Sequence, residues 1–299
     1  MQYKYCGKSG VQLPLLSLGL WHNFGDVDDF DNARHMILHA FEKGICHYDL
    51  ANNYGPSPGS AERNFGRVLK SDLKAHRDEL FISSKAGHDM WDGVYGTGSS
   101  RKNIIASCDQ SLQRCGVEYF DIFYSHRYDG VTPVEETMEA LIQLVRQGKA
   151  LYVGISKYPQ DKQQQAYDIL REAHVPCLLS QYRCSMFDQK ARRQNFQCAA
   201  DNGSGIICFS PLAQGLLTDR YLEGIPADSR MAKEHFLKSD RRTPELLDYL
   251  RQLEAEAQTH GRTIAQEALA WVAAQPGVTS VLVGASSVNQ LASNLQIMD

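Results

Sequence analysis

Along most of the chain, short apolar runs alternate with longer stretches in which apolar residues recur every three or four positions. That alternation is the mark of β-strands each followed by an amphipathic helix, and it predicts a parallel sheet. Eight runs fit strands: residues 15–20, 46–50, 80–85, 121–125, 150–156, 177–181, 205–210 and 279–283. Several intervening segments carry helix boundaries of their own. Thr132-Pro133-Val134-Glu135 predicts a capping box with proline at the first helical position, and Gly148 a stop. Ser100 is placed to cap a helix through Arg114 that Gly116 ends; Thr243-Pro244 opens one ending near Gly261, and Thr263 with Gln266 starts another through Ala274. Two helices therefore separate the seventh strand from the eighth. The pattern predicts an α/β chain, a (β/α)8 TIM barrel with an extra helix between strand 7 and strand 8.

Before the first βα unit, residues 3–6 and 11–13 flank Gly7-Lys8-Ser9-Gly10, which reads as an N-terminal β-hairpin plugging the bottom of the barrel. Segments 87–100 and 214–242 are polar, carry glycine and are too long for ordinary connections, so they are read as functional loops. Linkers, repeats and low-complexity stretches are missing, and the reading is one domain over residues 1–299.

Composition narrows the function. With 43% hydrophobic and 22% charged residues, the chain can bury a sizeable core. A net charge of -4 supplies no basic field for nucleic acid or an anionic membrane. No apolar run reaches the roughly 20 residues of a membrane span, and the first ten residues lack a signal-peptide core, so a cytoplasmic protein is expected. The eight cysteines show neither metal-ligand spacing nor a CxxC pair, and read as reduced packing residues.

A barrel of this kind places its chemistry at the carboxyl ends of the strands. Asp49 ends the second strand, Tyr54 follows five residues on, Lys85 ends the third, and His126 follows the fourth. Singly, these would read as a turn former, a packing aromatic, a surface cation and a strand-end histidine; jointly they suggest a proton donor with its support. A phenol, with an ordinary pKa of about 10, gives up its proton at neutral pH only beside a cation. Lys85 is the candidate cation, Asp49 the anion that keeps it charged, and His126 a donor toward a carbonyl oxygen. The chain holds no strand-linked GxGxxG fingerprint, so a Rossmann site is not supported.

DLANNYGPSPGSAERNFG at 49–66, ISSKAG at 82–87, DIFYSHRYD at 121–129, GKALYVGIS at 148–156, FSPLAQGLLT at 209–218 and VLVGAS at 281–286 together resemble the aldo-keto reductase superfamily over nearly the whole chain. Within it the chain is most similar to bacterial L-glyceraldehyde 3-phosphate reductases and more distantly to potassium-channel β-subunits. The resemblance implies NADPH-dependent reduction of small aldehydes, such as triose phosphates and methylglyoxal-like carbonyls. Asp49, Tyr54, Lys85 and His126 match the catalytic tetrad, and no metal is implied, tyrosine and histidine standing in for a Lewis acid. It further places Trp21 beside the cofactor, Ser156 and Gln181 at its carboxamide, Phe209 on the nicotinamide, and Ser210, Leu212, Ala213 and Gly215 along the pyrophosphate. Arg220 and Arg230 match positions for the 2′-phosphate, and Ser286, Gln290 and Asn294 those for the adenosine, with Ser293 standing where relatives often carry glutamate. Trp21, Trp91 and Tyr95 are candidate walls of the substrate pocket. The chain stops sooner after its last βα unit than the relatives do, which predicts a more open site. A small-molecule substrate is the expected partner, and the resemblance leaves room for a homo-oligomer. The alternative, a slow-turnover nicotinamide-binding regulatory subunit, meets one objection: the channel subunits carry asparagine at the position of His126.

Overall fold

A computed structural model of the chain describes residues 1–227, 229–232 and 237–298. Five positions of the expected loop 214–242, residue 228 and residues 233–236, lie outside them. The chain opens with a hairpin, β1 (Tyr3–Tyr5) against β2 (Gln12–Pro14), and continues into β3 (Leu16–Gly19), α1 (Phe30–Glu42), β4 (His47–Asp49), α2 (Ser60–Val68) and β5 (Phe81–Ala86). There follow α3 (Arg101–Cys115), β6 (Phe120–Ser125), α4 (Val134–Arg146), β7 (Ala150–Ser156), α5 (Gln160–Glu172) and β8 (Cys177–Arg183). The last third holds α6 (Lys190–Gln194), α7 (Phe196–Asp201), β9 (Gly205–Phe209), α8 (Pro244–Thr259), α9 (Ile264–Ala273), β10 (Val278–Val283) and α10 (Val288–Leu295). Strands β3 to β10 are parallel and close into an eight-stranded barrel, with β10 paired to β3 through Val281 and Leu16. The extra helix between the last two barrel strands is present, since α8 and α9 both lie there.

Local chemistry sets most helix boundaries as expected. Ser100 accepts from the Asn103 amide to open α3, and Gly116, at φ +66°, ends it in the left-handed conformation. Thr263 and Gln266 form a reciprocal capping box at α9. The box expected at Thr132 does not form. Pro133 is the cap of α4 without a side-chain bond, and the Thr132 hydroxyl donates instead to Asp129 Oδ2 at 2.7 Å. Asp129 also accepts from the Val131 and Thr132 amides, so an aspartate turn just upstream outcompetes the capping box.

The hairpin covers the amino-terminal end of the barrel. Leu13 and Cys6 pack on Phe81, Ile122, Tyr124, Leu178 and Leu179, and the Lys4 ammonium donates to the Ala273 and Val278 carbonyls. Above this apolar floor the interior turns polar. Ser280 and Ser17 hydroxyls are 2.6 Å apart, Ser17 meets His47 Nδ1 at 2.9 Å, and His47 Nε2 meets the Ser83 hydroxyl at 3.1 Å. Ser83 in turn donates to Asp49 Oδ1 at 2.7 Å, and that last bond fixes the direction of the rest. Ser83 must accept from His47 Nε2–H, leaving Nδ1 to accept from Ser17. Burial pushes His47 down to about 4, which suits this neutral imidazole.

All eight cysteines are unpaired and at least partly buried. No helix among the described residues is long and apolar enough to cross a membrane.

Candidate active site

Parallel pairing carries the polar strand ends to one rim. Asp49 is the last residue of β4 and lies in register with Ser83, while Lys85 near the end of β5 is level with Tyr124. His126 follows β6 and is tied to β5 by its amide, which donates to the Ala86 carbonyl at 2.8 Å. Tyr54 belongs to the turn ahead of α2. Gly55 behind it adopts φ +84°, and a Cβ there would lie 2.2 Å from Ser60 Oγ, so only glycine lets this turn close on the helix.

Lys85 and Asp49 are sealed from water, at 0% and 1% side-chain exposure, with Nζ 2.5 Å from Oδ2. The ammonium also donates to the Leu50 carbonyl at 2.6 Å. Asp49 is held from its other side by Ser83 and by the Gln181 amide, 3.1 Å from Oδ1. Burial lowers the Lys85 pKa, and the charge and hydrogen bond of Asp49 oppose that shift. Lys85 Nζ stands 5.0 Å from the centre of the Tyr54 ring, over its face, with no hydrogen bond joining Nζ to the phenol. Burial, then the negative charge of Asp49, hold the phenol well above its ordinary value, so it is protonated at neutral pH. The His126 ring meets Tyr54 edge-on at 5.9 Å. Burial and the nearby cations Lys157 and Lys85 keep His126 well below its ordinary value, hence neutral, and its Nδ1 is buried without a partner.

The positions expected to hold a cofactor lie on the strands that complete this rim. Ser156 ends β7 in register with Gln181 of β8, and its hydroxyl is buried and unpartnered. Phe209 ends β9, half-buried. The segment after it is bent: Ser210, Ala213 and Gln214 have φ of +55°, +48° and +64°, and Gly215 +99°. Non-glycine residues held in this region cost of order 1–3 kcal/mol each and gather at functional sites. Leu212 lies inside this turn, accepting from the Gly215 amide at 2.8 Å. Arg230 donates to Gln214 at 2.8 Å and is held below its usual value by burial and by the neighbouring charge of Arg220, so the two arginines converge. After β10, the Ser286 amide and hydroxyl both donate to Gln290 Oε1, and Asn294 is buried with its amide nitrogen unpartnered. Ser293 is engaged by Gln266 of α9 through its carbonyl at 2.7 Å. Trp21 stands 6.3 Å from Tyr54, ring to ring, whereas Trp91 and Tyr95 are exposed at 45% and 56%, with Tyr95 under Lys102.

A profile of the aldo/keto reductase family matches residues 15–299. The chain belongs to the aldo/keto reductase family. It is 52% identical, over its whole length and 88% of the other protein, to the L-glyceraldehyde 3-phosphate reductase of Escherichia coli (strain K12). It is also 33% identical, over its whole length and 92% of the other protein, to the "Probable voltage-gated potassium channel subunit beta" of Oryza sativa subsp. japonica and to that of Arabidopsis thaliana. As a member of this family the protein is an oxidoreductase.

Several residues that shape the site of this reductase carry little or no signal along the sequence. His47 and Ser83, which orient Asp49, lie below the rim inside the barrel, where strand pattern says only "buried". Lys157 and His88 were legible in principle, because each follows a strand end by one or two residues, the rule that picked His126. The Lys157 ammonium donates to His88 Nε2 at 2.6 Å, and the His88 ring meets His126 edge-on at 4.4 Å.

Proposed function

We propose that the protein reduces small aldehydes to alcohols with NADPH, Tyr54 giving the proton to the carbonyl oxygen. The observation that carries this reading is the buried Lys85–Asp49 pair lying against the face of a protonated phenol, 5.0 Å from its ring, with a neutral imidazole edge-on to the same phenol. NADPH supplies the hydride when bound. The residues fit that cofactor, since Ser156 and Asn294 keep buried polar atoms that nothing among the described residues satisfies. Ser156 and Gln181 would hold its carboxamide, Phe209 its ring, residues 210–215 its pyrophosphate, Arg220 and Arg230 its 2′-phosphate, and Ser286, Gln290 and Asn294 its adenosine.

Tyr54 keeps its proton in the resting site because burial disfavours the phenolate. As negative charge grows on the carbonyl oxygen, the proton moves there from the phenol, and the Lys85 ammonium steadies the phenolate left behind. Asp49 holds that ammonium charged in a place where burial alone would strip its proton. His126, neutral, donates its one N–H to the carbonyl oxygen and fixes its orientation. Each of these groups is positioned before reaction, so little reorganisation accompanies the step.

Tyr54→Phe tests the reading. Its kcat for aldehydes, read from NADPH absorbance, is expected to fall about 10²–10⁴-fold, the contribution of a positioned general acid, while NADPH still raises the thermal midpoint. Equal turnover by wild type and variant across a panel of small aldehydes would remove Tyr54 from the reaction.

A further inference from the structure

The rim carries a second lysine that the reduction step does not use. Lys157 follows Ser156 at the carboxyl end of β7 in the left-handed conformation, φ +57°. Its ammonium is half-buried, 2.6 Å from His88 Nε2 and 5.9 Å from the Phe209 ring. The Arg183 guanidinium lies 5.7 Å from the same ring, and Arg127, which follows His126, bonds Gly87 and Thr97. Lys157, Arg127 and Arg183 have no carboxylate within ion-pair distance among the described residues, although the chain as a whole is acidic at -4. Acid groups thus outnumber basic ones overall, yet three uncompensated cations converge on one side of the mouth.

We propose that Lys157, steered by His88 and flanked by Arg127 and Arg183, is an anion-binding group that takes the phosphate of a phosphorylated aldehyde while the carbonyl sits between Tyr54 and His126. The inference rests on the reductase reading above and names its substrate class. An ammonium has three N–H donors, and His88 accepts only one. His88 is suited to that task because burial, then the charges of Lys157 and Arg127, push it down to about 4, leaving a neutral ring that can accept. The ring thereby aims the lysine without neutralising it, which a carboxylate would do. Crowding has a cost: burial, with Lys85, Arg127 and Arg183 nearby, brings Lys157 down to about 7. An anion from outside relieves that repulsion, and a phosphate monoester, with three acceptor oxygens, meets several cations at once.

The test compares wild type with Lys157→Asn, which removes the charge but suits the left-handed backbone, and with Lys157→Arg, which restores it. The substrates are a triose phosphate and the matching unphosphorylated aldehyde. For Lys157→Asn, the ratio of kcat/KM between the two should fall on the order of tenfold to a hundredfold, as when a hydrogen bond to a charged group is lost; Lys157→Arg should recover part of it. An equal loss for both aldehydes would overturn the proposal and assign Lys157 to the chemistry. A weaker NADPH affinity with the ratio unchanged would overturn it too, the anion then being the cofactor's own phosphate. If wild type reduces neither aldehyde, the reductase reading fails by itself, and the anion site is judged by calorimetry with glycerol 3-phosphate. Binding to wild type that Lys157→Asn abolishes sustains the site, and equal binding or none removes it.

Discussion

Two lysines stand at the same mouth and are built in opposite ways. Lys85, on the wall between β4 and β5, is sealed at 0% exposure and locked to Asp49, which Ser83 and Gln181 hold in turn. Lys157, just after β7, is half-buried and leans on a neutral imidazole, with no carboxylate in ion-pair range among the described residues. A cation whose counter-ion is part of the fold is a fixed component, its charge set before any ligand arrives. A cation whose only partner is neutral keeps its field directed outward. The same residue type thus serves two ends, and the partner decides which.

Stability should separate the two most sharply. Lys85→Met leaves the Asp49 carboxylate buried and uncompensated, at an expected cost of about 3–5 kcal/mol in urea unfolding, and Lys85→Met with Asp49→Leu should recover much of it while remaining inactive. Lys157→Asn strands no charge, costs one half-buried bond to His88, and should change stability by less than about 1 kcal/mol. Comparable losses for the two single variants would break the contrast.

Acid should sharpen it next. His47 supports the Asp49 side and His88 the Lys157 side, and both are pushed down to about 4 from 6.5. Such an imidazole takes a proton in the unfolded chain but not in the folded one between those values, so its stabilising effect is present above pH 6.5 and lost as pH falls toward 4. For fully buried His47 the loss is about 3 kcal/mol, and half-buried His88 should contribute less. His47→Gln should flatten the fall in stability over that window more than His88→Gln; the reverse order would mean the interior chain from Ser17 to Asp49 does not hold His47 neutral. Ser83→Ala should cost about 1–3 kcal/mol from unpairing His47 and one bond to Asp49. It should also reduce kcat more than KM, because Asp49 acts through Lys85.

Much of the fold was legible in one dimension. The predicted strands fall within a few residues of β3 to β10, since apolar periodicity, caps at Ser100, Thr243 and Thr263 and stops such as Gly116 act over a few residues each. The exception, Thr132, shows the limit: the box residues are there, but Asp129, three residues upstream, takes the hydroxyl in a turn of its own.

By itself, then, the sequence determined the order of elements, the closure of eight βα units and which polar residues end their strands, because those follow from local periodicity and from the rule that parallel strands share one carboxyl end. Only tertiary structure decided what each strand-end residue does. Whether a lysine is sealed or open, which atom of His47 carries its proton, and that Gln181 reaches Asp49 across the barrel from 132 positions away in sequence are matters of distance through space. Charge and desolvation act over a few ångströms in three dimensions, and the spacing of residues along a chain does not encode them.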